Sequence, residues 1–223
     1  MAEAAADNTA PSIRIDIASD VVCPWCIIGY KQLETALRET GMQGEVHWHP
    51  FELNPHMPEE GEDLQQHLAA KYGTTREDSR KARARLAEMG AALGFTFNYA
   101  EDMKMVNTFR AHQLLHWAGT HGREHDLKMA LFAAFFTHRQ DVNDSEVLAD
   151  VAAGIGLDRN EALAVLCDAR FAAEVRDSER LWINRGIQGV PAMVFNQKYL
   201  VTGAQGVENF TSILRQLAEA SDA

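Results

Sequence analysis

Two cysteines stand three positions apart in Cys23-Pro24-Trp25-Cys26, a spacing suited to making and breaking a disulfide. Residues at i and i+3 of a helix face one another, so the two sulfurs can meet there. Only a thiolate is a nucleophile, and an ordinary cysteine, with a pKa of about 8.5, is mostly protonated at neutral pH. The start of a helix supplies the missing stabilisation, because its free N–H groups and the positive end of its dipole point at the first sulfur. Cys23 is therefore expected to attack and Cys26, one turn in, to resolve. Pro24 fits the first turn, where an N–H would have no partner in any case. Trp25 offers an aromatic surface to a partner peptide or a small thiol, or else simply covers the motif.

The flanking residues supply that helix start. Residues 13–18 (IRIDIA) alternate as a half-buried strand does, and residues 27–37 (IIGYKQLETAL) take helical spacing through Ile27, Tyr30, Leu33 and Leu37. The dithiol thus sits at a strand-to-helix junction. A zinc site would need four Cys or His ligands, and the only other cysteine is Cys167. The histidine pairs His112/His116 and His121/His125 lack the glutamate of a metalloprotease helix. No metal is therefore assigned, and these histidines read as ordinary core or surface residues. Cys167, in LAVLCDA, reads as a small buried apolar side chain.

The whole chain narrows the classes further. Its 223 residues, 46% of them hydrophobic, are enough for one substantial core or a domain with a large insertion. A formal charge of −11, from 32 acidic and 21 basic residues, argues against a nucleic-acid or anionic-membrane binder. No apolar run approaches the ~20 residues of a membrane span. The N-terminal MAEAAADNTAPS has neither a basic nor an apolar region of a secretory signal and reads as a short flexible lead, so the cytoplasm is the expected compartment. There a C-x-x-C is more often catalytic or metal-binding than a permanent crosslink. Arg76, Arg80, Lys81, Arg83 and Arg85 crowd one segment, but Ala82, Leu86, Met89 and Leu93 form an apolar stripe through it. The cluster reads as the solvated face of an amphipathic helix, capped by Thr75 with Asp78 and ended by Gly94.

A second strand is expected over 46–53, with Pro50 marking an edge or bulge. Helices follow over 64–72, 75–93, 108–120, 124–138, 145–155, 159–166 and 172–185. Strands return at 192–196 and 199–202 around a Gln197-Lys198 turn, and a helix over 207–217 closes the chain. This is an α/β fold of thioredoxin-like pattern, a mixed sheet made of βαβ plus ββα, with a large all-helical insertion. The expected divisions are 12–61 and 181–223 for the thioredoxin-like parts and 62–180 for the insertion. Pro191, in GIQGVP, cannot donate to a ladder and should occupy a turn or the first position of its strand.

With CPWC, the stretches HPFELNP at 49–55, NTFRAHQLLHWA at 107–118, GIQGVP at 186–191 and GAQ at 203–205 make the chain resemble the DsbA family of thioredoxin-fold oxidoreductases, particularly its FrnE-like subgroup. The resemblance covers nearly the whole length. It implies thiol–disulfide exchange with Cys23 as nucleophile, Cys26 as resolving thiol and a cis Val190–Pro191 bond facing them. Val190 would then offer its backbone to an extended substrate. It also implies that Asn107 lies near the site, that no cofactor is tightly bound, and that glutathione can serve as co-substrate. The expected partners are thiol- or disulfide-bearing proteins or small molecules, and exposed apolar surface on the insertion could be a substrate groove or the interface of a homodimer. Some relatives are glutathione-dependent small-molecule isomerases with serine in place of the first cysteine. The alternative activity is that of a glutathione-dependent small-molecule isomerase or tailoring enzyme that uses Cys23 as a single thiol, and the intact Cys26 counts against it. A non-catalytic, chaperone-like binding protein is the third class.

Overall fold

The computed structural model describes residues 12–221; the lead at 1–11 lies outside the described residues. The chain runs β1 (Ser12–Ser19), α1 (Pro24–Thr40) and β2 (Gln43–Pro50), and ends with β5 (Ala192–Phe195), β6 (Tyr199–Thr202) and α9 (Val207–Ser221). Between these parts come β3 (Glu62–Asp63), α2 (Leu64–Tyr72), α3 (Arg76–Ala92), β4 (Lys104–Met105), α4 (Phe109–Thr120), α5 (Glu124–Phe136), α6 (Ser145–Gly154), α7 (Arg159–Asp168) and α8 (Ala172–Asn184). The main sheet has the order β2-β1-β5-β6. β1 is parallel to β2, and β5 is antiparallel to both β1 and β6. This is the mixed thioredoxin-like sheet expected from the sequence, with helices inserted between its halves.

Alternation along β1 divides the core between the two faces of the sheet. Ile13, Ile15 and Ile17 are buried in the main core with Leu33 of α1 and Phe210 of α9, each worth about 1.5–3 kcal/mol of transfer free energy. Ala18 and Ala192 face the other way, against Trp182 of α8. β2 is an edge strand, as Pro50 suggested, but it covers 43–50 rather than 46–53. Residues 51–53 leave the sheet because the Leu53 amide donates to the buried Asp20 carboxylate at 2.8 Å.

Other departures have equally local causes. The last hairpin turns at Asn196-Gln197, one residue early. Both residues have positive φ, 49° and 58°, and Lys198 N–H donates to Phe195 O at 3.0 Å, the arrangement whose twist suits a hairpin. Cys167 is exposed, not buried, because α7 turns Ala162, Val165 and Leu166 inward and leaves the next position outside. The two-residue ribbon β3–β4 is too short to carry periodicity. No helix among the described residues is long and apolar enough to cross a membrane.

Candidate active site

Cys23 occupies the N-cap of α1, with extended backbone and no side-chain capping bond, and Pro24 opens the helix. Its amide donates to Asp20 O at 3.2 Å and its carbonyl accepts from Cys26 N–H at 3.1 Å, so both cysteines are fixed by a tight turn. Across the site the Val190–Pro191 bond is cis, and Cys23 Sγ donates to Val190 O at 3.7 Å. Two features bring this loop so close. Gly29 has no side chain where a Cβ would meet Pro191 Cγ at 3.2 Å. From the GAQ stretch, Gly203 N–H donates to Pro191 O at 2.7 Å.

Beneath the cysteines lies a set of buried polar groups. Asp20 accepts from the Leu53 amide, and His112 Nε2 lies 3.4 Å from its Oδ1. Burial pushes the Asp20 carboxyl up, but His112, the Leu53 amide and the Lys128 charge outweigh it and hold the group below the usual carboxylate range. Lys128 of α5 is only 1% exposed. Its ammonium donates to Ser19 O at 3.2 Å and lies over the rings of Trp48 and Phe132 at 5.3 and 5.2 Å. Burial lowers its pKa, opposed by the charges of Cys26 and Asp20.

The two thiols titrate as one system. The hydrogen bond with Cys26 pushes the Cys23 thiol well up, and burial adds to this. For Cys26, burial acts upward, but hydrogen bonds from Cys23 and Ser19 and the charge of Lys128 bring it down. Ionisation is thus easier at Cys26, on the side nearer Lys128, than at Cys23. Access separates the two sulfurs. Cys26 is fully buried, whereas Cys23, at 3% exposure, borders a cavity of about 290 Å3 between the dithiol and the inserted helices α2 and α3.

Pro24, Trp25 and Val190 line this same cavity, so four of the expected site residues converge on it. Pro191 packs behind Val190 on α1. Asn107 does not join them: its amide donates to Met57 O at 2.9 Å, and its Oδ1 accepts from Phe109 N–H at 2.9 Å, starting α4. Sequence reasoning missed Asp20, Lys128 and the far wall of the cavity. Asp20 had a signal, a carboxylate placed shortly before the motif. Lys128 had none, since nothing in EHDLKMALF marks a lysine turned inward. The basic cluster is solvated at Arg76, Arg80, Lys81 and Arg85, as expected, but Arg83 is half-buried and lines the cavity.

Comparison with known proteins agrees with this geometry. Residues 14–215 match the family model described as a DSBA-like thioredoxin domain. The crystal structure of a probable DsbA oxidoreductase from Streptomyces coelicolor is 36% identical, with a TM-score of 0.83 over 92% of this chain and 89% of that one. An uncharacterized protein of Bacillus subtilis, YwbO, is 26% identical over 200 residues, 89% of this chain and 94% of its own. The cytosolic disulfide reductase DsbM of Pseudomonas aeruginosa, solved with GSH, shares the fold at 18% identity and a TM-score of 0.63, covering 92% of this chain and 99% of that one. A cysteine pair at the start of α1, a facing cis-proline loop and a matched domain spanning nearly every element lead to one conclusion: the chain belongs to the DsbA-like thioredoxin domain family and is a thiol–disulfide oxidoreductase.

Proposed function

We propose that Cys23 is the attacking thiol and Cys26 the resolving one. The observation that carries this is access: the Cys23 sulfur borders the cavity and the Val190 carbonyl, while Cys26 is sealed beneath it. The Cys23 thiolate attacks one sulfur of a substrate disulfide, forming a mixed disulfide and releasing the other half as a thiolate. Cys26, as thiolate, then attacks Cys23 Sγ, closing the Cys23–Cys26 disulfide and releasing the second half. The downward pull on the Cys26 thiol from Ser19 and Lys128 serves this second step. In the first step Cys23 passes its proton to Cys26 as it attacks, and the departing thiolate takes that proton, leaving Cys26 as the thiolate for the second step. Val190, beside the sulfur, would align the substrate backbone.

The motif set from HPFELNP to GAQ supports placement in the FrnE-like subgroup, and glutathione is proposed as the thiol that re-reduces the pair, in the cytoplasm. The similarity to DsbM, a cytosolic disulfide reductase solved with GSH, supports that choice of thiol. The test is to equilibrate the protein across glutathione redox buffers and count free thiols by alkylation and mass spectrometry. A reversible two-electron transition at Cys23 and Cys26 is expected. In Cys26→Ser, a mixed disulfide should accumulate on Cys23, and Cys23→Ser should form none. A pair that never closes, or an adduct on Cys26 in Cys23→Ser, would overturn the assignment.

A further inference from the structure

The cavity beside Cys23 is enclosed by regular faces of the insertion. Two helices turn toward it: Leu64, Leu68 and Tyr72 from α2, and Ser79, Arg83 and Leu86 from α3, each series at three- or four-residue spacing. Tyr99, Met105 and Phe136 complete apolar walls. A cavity of about 150 Å3 with apolar walls holds a benzene, so about 290 Å3 accommodates one substituted ring with a short chain. This is small for a folded protein surface and apolar for glutathione, with its two carboxylates and ammonium.

One stretch of the lining is polar and incomplete. Ser79 is 3% exposed, and its hydroxyl, like that of Thr74, has no hydrogen-bond partner among the described residues. Buried hydroxyls are normally paired, because an unpaired one costs about 1–3 kcal/mol. Arg83 uses Nε on Ser79 O and Nη1 on Ala100 O, and Nη2 makes no hydrogen bond among the described residues. The charge lining the cavity is also one-sided. Lys71 and Arg83 line it and no carboxylate does, in a chain of 32 acidic and 21 basic residues.

We propose that this cavity binds a small aromatic or similarly apolar disulfide that carries a carboxylate, or another oxygen acceptor, on its ring. The ring occupies the apolar walls, Ser79, Thr74 and Arg83 take the oxygens, and the sulfur reaches Cys23. This assignment rests on Cys23 being the attacking thiol. Cys23–S⁻ bonds to one substrate sulfur and breaks the S–S bond, the first half leaves as a thiolate that takes the proton held by Cys26, and Cys26–S⁻ then bonds to Cys23 Sγ and expels the other half as a thiolate. The disulfide substrate is reduced, the enzyme dithiol is oxidised, and two equivalents of a low-molecular-weight thiol such as glutathione restore it.

The test compares kcat/KM for a dithiobisbenzoate, with one carboxylate per ring, against glutathione disulfide, in wild type, Ser79→Ala and Arg83→Gln. Losing a charge-assisted hydrogen bond should lower the ratio of the two constants by about tenfold in Arg83→Gln, with the loss in KM. Binding of the unreactive thioether methylthiobenzoate to Cys23→Ser is measured by calorimetry, and Leu86→Trp, which fills the cavity, should abolish it. A ratio unchanged in both Ser79→Ala and Arg83→Gln, or thioether binding that survives Leu86→Trp, would overturn the cavity assignment while leaving exchange at Cys23 intact. If neither disulfide forms an adduct at Cys23, the exchange reading itself fails.

Discussion

A buried ammonium needs compensation, and Lys128 finds it in a carbonyl oxygen and two ring faces rather than in a bonded carboxylate. Its charge brings the Cys26 thiol down, so the residue acts on chemistry it does not touch. Lys128→Met keeps the aliphatic stem and removes the charge. Resolution of a preformed mixed disulfide should then slow about tenfold at neutral pH, the equivalent of ~1.4 kcal/mol of lost charge interaction. Its pH–rate curve should move to higher pH, because a thiolate without its cation ionises later. Stopped-flow measurement across pH checks this, and a curve that does not move would remove Lys128 from the mechanism.

At the level of elements, close packing of α1 on the cis-proline loop depends on Gly29. Gly29→Val would drive side-chain atoms into Pro191 Cγ and Met193 Cε, which a Cβ alone would already meet at 3.2 and 3.4 Å. Overpacking of this kind costs about 1–3 kcal/mol, and Val190 would move away from Cys23. Lower stability in urea with a several-fold loss of kcat/KM is expected; unchanged values for both would show that the loop is not held there. The elements that build this junction were legible from the sequence because they are periodic: alternation in 13–18, helical spacing in 27–37, alternation again in 192–196. So was the cap of α3, where Thr75 accepts from Asp78 N–H. The β3–β4 ribbon was not, being two residues per strand. The cavity was not either, because it forms only where α2 and α3 close over the dithiol. Arg83 is chemically like the four solvated basic residues around it, and only the helix's rotation against Tyr99 and Phe136 singles it out.

In the whole molecule, the two parts are clasped at a second place. Arg176 of α8 bonds both Glu52, after β2, and Glu179 Oε2, the latter at 2.8 Å, and its guanidinium stacks 3.7 Å from the Phe109 ring of α4. Burial, then the charge of Glu179, push the Glu52 carboxyl from 4.5 up to about 7, against the pull of Arg176. An acid whose pKa is raised by folding keeps its proton in the native state after the unfolded chain has lost it. The stability it contributes is therefore present at low pH and lost as pH rises from 4.5 to about 7. Glu52→Gln should flatten the Tm profile between pH 4.5 and about 7, and a wild-type slope persisting in the variant would assign it elsewhere. The insertion also gives the site a history. Val190 lies 167 residues after Cys23, which at about 5–20 residues per second is roughly ten to thirty seconds of synthesis. During that interval the nascent chain carries its reactive sulfur without the carbonyl that will face it. Premature oxidation on the ribosome is thus a hazard written into the order of the chain.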